Sequence, residues 1–270
     1  VALSEKQKWI VFGGLSVVLS LASIAAILGP GLRWGIERGV DALPPETEER
    51  LGLARLDSAV IAQGVQDPRV RELLDRLAKD IAAPGDRGAF KVVLINDPLV
   101  NAFATPGGTI VLHTGITRIT KDESELFGVL GHEAGHVRRR HGLKALIRSA
   151  GTYVAVTVLA GDASGLAGLA AGASAELWQR GYGRRAEEES DDEGLATLER
   201  LRLDPAGVTR LFAALDASGG SDVPEFLSTH PTPKRRRERL ADKAAPRAPA
   251  ADAPKLSAEE WALLRQIPSP

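Results

Sequence analysis

Apolar positions along this chain follow three different rhythms. From Trp9 to Leu28, WIVFGGLSVVLSLASIAAIL, 20 residues pass without a charge, about the length that crosses a bilayer core. Lys6 and Lys8 precede it, and Arg33 and Arg38 follow. The exit, LGPGLRW, lacks the small-x-small pattern of a cleaved signal. The stretch therefore predicts one N-terminal transmembrane helix, and nearly balanced flanking charge leaves its orientation open. From Glu46 to Ala83 the rhythm is helical. Val70, Leu73, Leu74, Leu77 and Ile81 recur at helical spacing after an Asp67-Pro68 start. Two β-branched runs, Phe90 to Asn96 and Thr109 to Gly115, predict strands. NAFATPGG between them reads as a turn, broken by Pro106-Gly107-Gly108.

A helix is then expected from about Lys121 to Arg140. Thr120-Lys121-Asp122-Glu123 reads as its capping box, and Asp122, Glu123 and Glu125 suit the positive end of its dipole. Residues 145–180 are Ala/Gly-rich, interrupted by Arg148 and Asp162, and predict a pair of helices covering whatever the preceding helix carries. A charged helix spans 183–203, and Asp204-Pro205 starts another, to about Ala217. STHPTPKRRRERL turns into a basic helix. The implied division is a flank at 1–8, an anchor at 9–28, a juxtamembrane linker at 29–45, and a domain at 46–240. A mobile Pro/Ala linker at 241–255 and a short helix at 256–270 follow.

Composition narrows the chemistry more than the fold. The 270 residues contain no cysteine, so disulfides and thiolate metal ligands are excluded. Any metal must be held by His, Asp or Glu. A net charge of −1 supplies no field for recruiting nucleic acid. With no methionine and valine first, the natural start is expected upstream.

Three of the five histidines lie in ELFGVLGHEAGHVRRRHG, residues 125–142. Positions i and i+4 share a helix face, so His132 and His136 can grip one ion. Glu133 beside them can reach a water activated by that ion and move its proton. Unliganded histidines behind an apolar helical stretch would carry a polar burial cost, which argues against a basic surface helix with incidental histidines. Gly131 and Gly135 are poor helix formers and fit a close approach by another backbone or a substrate. A zinc site of this kind takes three protein ligands. His141, five residues after His136, points off the face, and His113 on a strand is possible. The acidic run at Glu187, Glu188, Glu189, Asp191, Asp192 and Glu193 is the better source, and Asp191 could orient a ligand histidine.

These residues resemble zinc metallopeptidase family forty-eight, the CAAX prenyl protease, HtpX-like and BepA-like membrane-associated proteases. The resemblance covers roughly Ala89 to Leu240 and rests on NAFATPGGTIVLHTGI, GHEAGHVRRRHG, RRAEEESDDEG and THPTPKRR, in that order. It implies an α+β zincin of the gluzincin type, mostly helical with a small sheet, binding one Zn²⁺ per chain. It implies Glu187 as the third ligand, from the spacing Arg184, Glu187, Asp191, Gly194, and Asp191 as the partner of a ligand histidine. His230 would lie near the metal, donating to the oxyanion or occluding the zinc. Arg236 would hold a substrate carbonyl or a nearby carboxylate. The strand Thr109, Ile110, Val111, Leu112 and His113, with Asn101, would offer an edge to an extended peptide.

The expected function is cleavage of proteins or peptides beside a lipid bilayer, in envelope quality control, with the domain facing the periplasm from a bacterial inner membrane. The rival is the same fold as a latent, chaperone-like binding module with its zinc occluded. Prenyl-protein processing would call for several membrane spans, and only one is predicted.

Overall fold

The computed structural model describes residues 31, 38, 40, 43–55, 64–149, 182–218, 226, 230 and 234–265. The chain divides into two compact units, 1–42 and 43–270, and everything below concerns the second. The apolar stretch Trp9 to Leu28, most of the linker up to residue 42 and most of the Ala/Gly-rich segment lie outside the described residues. Among the described residues, no helix is long and apolar enough to cross a membrane.

Nine helices and three strands are found there, in the order α1 (Pro45–Arg55), α2 (Pro68–Ile81), β1 (Lys91–Ile95), β2 (Ala102–Ala104), β3 (Thr109–His113), α3 (Thr114–Ile119), α4 (Glu123–Arg138), α5 (His141–Ser149), α6 (Arg184–Arg200), α7 (Gly207–Ser218), α8 (Lys234–Lys243) and α9 (Ala258–Arg265). The sheet order is β1-β3-β2. β1 runs parallel to β3, pairing Lys91 with Thr109 through Ile95 with His113. β2 is antiparallel to β3, pairing Ala102 with Leu112.

This order corrects one expectation. β3 is the middle strand, both of its edges are taken, and all five of its residues are buried. It has no free edge to offer a peptide. β2 lies at the sheet's edge, and its outer side pairs with no strand among the described residues. The sequence reading passed over β2 because Ala-Phe-Ala is short and sits between an asparagine and a Pro-Gly-Gly turn. Thr105 closes that turn by donating its amide to the Thr109 carbonyl at 2.8 Å.

The sheet's alternation places Val92, Leu94, Ala102, Ala104, Ile110 and Leu112 in the main core with α2 and α4. Ile95, Val111 and Phe103 form a small cluster on the other face. α4 is central. It is buried from Ser124 to His136 on nearly every side, so it lacks the polar face of a surface helix. Its N-cap is Asp122, two residues beyond the expected Thr120. The Asp122 carboxylate accepts the Glu125 amide at 2.9 Å, and Glu125 in return accepts the Lys121 amide at 2.8 Å. That is a capping box shifted along the chain.

α6 lies against α4 more extensively than any other pair of elements. A Cβ added at Gly131 would lie 2.8 Å from the Thr197 Cβ, and one at Gly135 would lie 2.9 Å from the Ser190 Cα. Both are too close for real atoms, so the glycines of the motif set the separation of the two helices.

The Pro/Ala segment, expected to be mobile, is laced to the body. Ala250 donates its amide to the Arg202 carbonyl at 3.0 Å. Leu256 donates its amide to Glu123 at 2.9 Å, and Trp261 donates its indole to the same oxygen at 3.3 Å. Ala244, Ala253, Leu256 and Leu264 join the main core. Backbone hydrogen bonds of this kind leave no trace in composition, which explains the misreading.

Two predictions follow from this packing. Gly135→Ala should raise helix propensity by up to ~1 kcal/mol yet destabilise the protein by ~1–3 kcal/mol, because the helices must move apart; denaturant unfolding reads the sign. Asp204 accepts the amides of Ala206 at 3.1 Å and Arg247 at 2.9 Å, and a guanidinium hydrogen bond from Arg210 at 2.5 Å. Burial pushes its carboxyl up, but those donors outweigh burial and hold it below its usual range. Its contribution is therefore present above the unfolded value of about 3.9 and lost as pH falls through the lower folded one. Asp204→Ala should cost ~1–2 kcal/mol at neutral pH, and urea titrations should show the gap to the parent narrowing below about pH 4.

Candidate metal centre

The first turn and a half of the motif comes from α4. One helical turn separates His132 from His136, and their Nε2 atoms lie 3.1 Å apart. Glu187 comes from the opposing α6, in its first turn. Its carboxylate lies 3.5 Å from His132 Nε2 and 3.6 Å from His136 Nε2. His230 Nδ1 is 3.3 Å from His132 Nε2 and 3.2 Å from Glu187 Oε1. Donor atoms of all four residues fall within 4.8 Å of one another, and all four residues are buried.

These spacings test whether a metal would fit. Zinc–nitrogen and zinc–oxygen bonds of about 2.0–2.1 Å arranged tetrahedrally put neighbouring donors about 3.3 Å apart. Five of the contacts among these donors, at 3.1–3.6 Å, lie close to that value, and the whole set falls within 4.8 Å. Two imidazoles, a carboxylate and a third imidazole, with no thiolate in the chain, are a borderline donor set suited to zinc. The residues fit the ion.

Around these donors lies a ring of supporting groups. His132 Nδ1 is 3.2 Å from Asp191 Oδ1. Arg236, from α8, donates its Nε to Asp191 Oδ2 at 2.6 Å and its Nη2 to Asp191 Oδ1 at 2.7 Å. Its Nη1 sits 2.7 Å from Glu187 Oε2. Of the two roles expected of Arg236, the structure places it on carboxylates. His136 turns its Nδ1 to His141 Nδ1 at 3.1 Å. Tyr182 stacks on His136 with ring centroids 3.9 Å apart, and Phe226 stacks on His230 at 4.6 Å. Neither aromatic carried a sequence signal, since single aromatics outside any motif look like core.

Asn101 and the β3 residues fall outside the cluster. The Asn101 carbonyl accepts the His113 amide at 3.1 Å, and His113 Nδ1 faces Asp97 at 3.2 Å. Thr109, Ile110, Val111 and Leu112 are interior sheet positions.

Electrostatics follow from burial and pairing. Burial pulls His132 down, but Asp191 and Glu187 outweigh it and raise its pKa to about 9. Burial pushes Glu187 up, and the surrounding histidines reverse this, holding it well below the carboxylate range. Burial favours a protonated Asp191, but Arg236 and His132 keep it ionised. His136 is pushed well below its usual value by burial. Glu133 lies next to His132 on α4 with its side chain fully buried. Burial raises its pKa, partly offset by His230, His132 and the Ala104 backbone amide. Its Oε1 lies 3.5 Å from His230 Nε2. A carboxylate poised between a metal-binding cluster and the Ala104 amide of β2 can take up and release a proton there.

The pattern of Peptidase family M48 matches residues 65–244. A mitochondrial metalloendopeptidase OMA1 of Arabidopsis thaliana is 29% identical over 224 residues, covering 83% of this chain and 45% of that protein. The beta-barrel assembly-enhancing protease of Escherichia coli K12 is 35% identical over 192 residues, 66% of this chain and 39% of its own length. The metalloprotease YcaL of the same strain is 30% identical over 160 residues, 58% and 62% respectively. The chain spans less than half the length of the first two.

Arg236 gives the sharpest structural test. Arg236→Met removes the one guanidinium shared by two buried carboxylates and should cost about 3–5 kcal/mol in unfolding free energy. Arg236→Lys should recover only part of this, because an ammonium cannot make the paired contact to Asp191.

Proposed function

The chain belongs to peptidase family M48, and from that premise we propose that it is a zinc-dependent endopeptidase acting on proteins or peptides. The observation that carries this reading is the cluster of four buried donor residues, their ligand atoms within 4.8 Å of one another, directly beside Glu133. His132, His136 and Glu187 would hold the ion. Bound zinc supplies a Lewis acid that polarises the scissile carbonyl and lowers the pKa of the attacking water.

The remaining steps belong to the protein. An extended peptide adds as a strand along the outer edge of β2, its backbone held by strand pairing and its scissile bond brought over Glu133. Glu133 accepts the water's proton and returns it to the leaving amine. Its buried carboxyl, held by the Ala104 amide, is kept beside the cluster for this exchange. His230 Nε2 faces the same carboxylate, where an imidazole can donate to the oxyanion as charge develops. Asp191 and Arg236 keep His132 and Glu187 in place. Relatives named for mitochondria and for β-barrel assembly support a role in envelope protein quality control, with the apolar stretch Trp9 to Leu28 as the membrane anchor.

A second reading is favoured by one contact. His230 Nδ1 takes the fourth corner of the donor set, the corner a substrate or water must use. A metal site held by all four residues would be latent, and hydrolysis would require His230 to leave that corner.

Proteolysis of casein by the purified chain should disappear on removal of metal by a chelator and return with zinc. Glu133→Gln should lower kcat at least about 100-fold while zinc content, measured by elemental analysis, stays at one per chain. Cleavage that persists in both conditions would sink the mechanism.

A further inference from the structure

The two ligand histidines of α4 are supported in different ways, and only one of them was foreseen. His132 meets a carboxylate directly, through Asp191. His136 meets another imidazole. Its Nδ1 lies 3.1 Å from His141 Nδ1, and the rings stand edge to face with centroids 5.1 Å apart. On the far side of His141, its Nε2 lies 3.1 Å from Glu189 Oε2. The other Glu189 oxygen accepts from Arg185 Nε at 2.7 Å.

A backbone feature creates this contact. Arg140 adopts a left-handed conformation, φ 57°, which ends α4 and turns the chain so that the next residue folds back beside His136. A non-glycine residue in that region carries a conformational cost. The Arg140 side chain is buried and holds the turn, with Glu48 at 2.5 Å and the Leu43 carbonyl at 3.0 Å.

The proton positions in this chain are then forced one after another. His136 turns Nε2 toward His132 and Glu187, so that nitrogen must present its lone pair to a metal. A neutral ring carries its proton on the other nitrogen, so Nδ1–H donates. His141 Nδ1 must accept it. The Ser190 hydroxyl, 3.3 Å from the same nitrogen, can only add a second donor there. His141 therefore carries its proton on Nε2, where it faces the Glu189 carboxylate. Every group finds the complement it needs, which an incidental packing of two imidazoles does not require.

We propose that His141 and Glu189 are positioning residues for the metal: a relay of two hydrogen bonds that fixes the tautomer and tilt of His136 and makes its Nε2 a stronger donor. The inference rests on the metal-site reading above. It also assigns the acidic run a division of labour, with Glu187 facing the ion, Asp191 behind His132, and Glu189 behind His136 through His141.

The test uses the full chain, freed of metal and reloaded. Zinc affinity is measured by competition with a chromogenic chelator, and the site's geometry by the visible absorption of the cobalt-substituted protein. His141→Leu should weaken zinc about 10- to 100-fold, the usual cost of losing such a partner, and shift the cobalt bands. His141→Asn, whose Oδ1 can stand where Nδ1 accepts, should recover most of the affinity and the parental spectrum. Glu189→Ala should weaken zinc in the same direction with a smaller spectral shift. Parental affinity and spectrum in His141→Leu would overturn the proposal, as would an Asn variant no better than Leu when both melt at the parental temperature. Should His141→Leu not fold, Glu189→Ala decides, since its side chain is 32% exposed and its loss leaves the core intact; unchanged affinity there overturns the relay. Failure of the parent itself to bind zinc would overturn the metal reading and this inference together, a result distinct from parental binding with indifferent variants.

Discussion

Arg236 sits at the bottom of the protein's interior with its guanidinium shared between Asp191 and Glu187, and the rest of the site depends on that sharing. Two carboxylates taken out of water carry a cost of several kcal/mol each unless they are met by charge and hydrogen bonds. Here the ionised Asp191 and Glu187 are balanced by Arg236 and by a His132 that their own fields keep protonated in the metal-free protein. The same interaction fixes geometry, because a planar fork meeting Asp191 with two parallel bonds allows one orientation. α8 is thereby locked to α6, and α6 is held at a set distance from α4 by the glycines at 131 and 135. The metal-binding atoms come from three separate parts of the chain, and these contacts bring them to one point.

How much of this was legible depends on how far each contact reaches along the chain. His132, Glu133 and His136 lie within five residues on a single helix, so their shared face is a matter of helical period alone. Glu187 and Asp191 are also one turn apart, and the family resemblance, through the pattern Arg184, Glu187, Asp191, Gly194, picked them out of a run of acids. What the spacing could not show is that Asp191 is satisfied by Arg236, 45 residues later. That pairing needs the tertiary structure.

The errors follow the same logic. A strand's place within a sheet is not written in the strand, so Thr109 to His113 read well as β-structure and badly as an edge. β2 was lost because three residues beside a Pro-Gly-Gly turn carry too little pattern. The Asp122 cap was displaced because Thr120 offered an equally good side chain, and only the observed backbone separates them. His141 is the most instructive case. Its distance of five residues from His136 rightly keeps it out of the donor set, since an unbroken helix would carry it off the face. The left-handed Arg140 breaks that helix and returns it behind the ligand. Its signal in the sequence was a third histidine immediately after a basic helix end, with glycine next.

The strap of residues 244–265 reaches back across the domain to the start of the motif helix. It threads Arg202, Glu123 and Thr117, and Thr117 donates its hydroxyl to the carbonyl of Leu264, 147 residues away. Glu123 stands at the start of the motif helix, and two groups of the strap converge on its carboxylate. Contacts of such long sequence separation form late, since the loop they close must first be gathered. During synthesis the motif helix emerges well before its strap. The strap ties the first turn of the motif helix to the last described helix, so the two are ordered together.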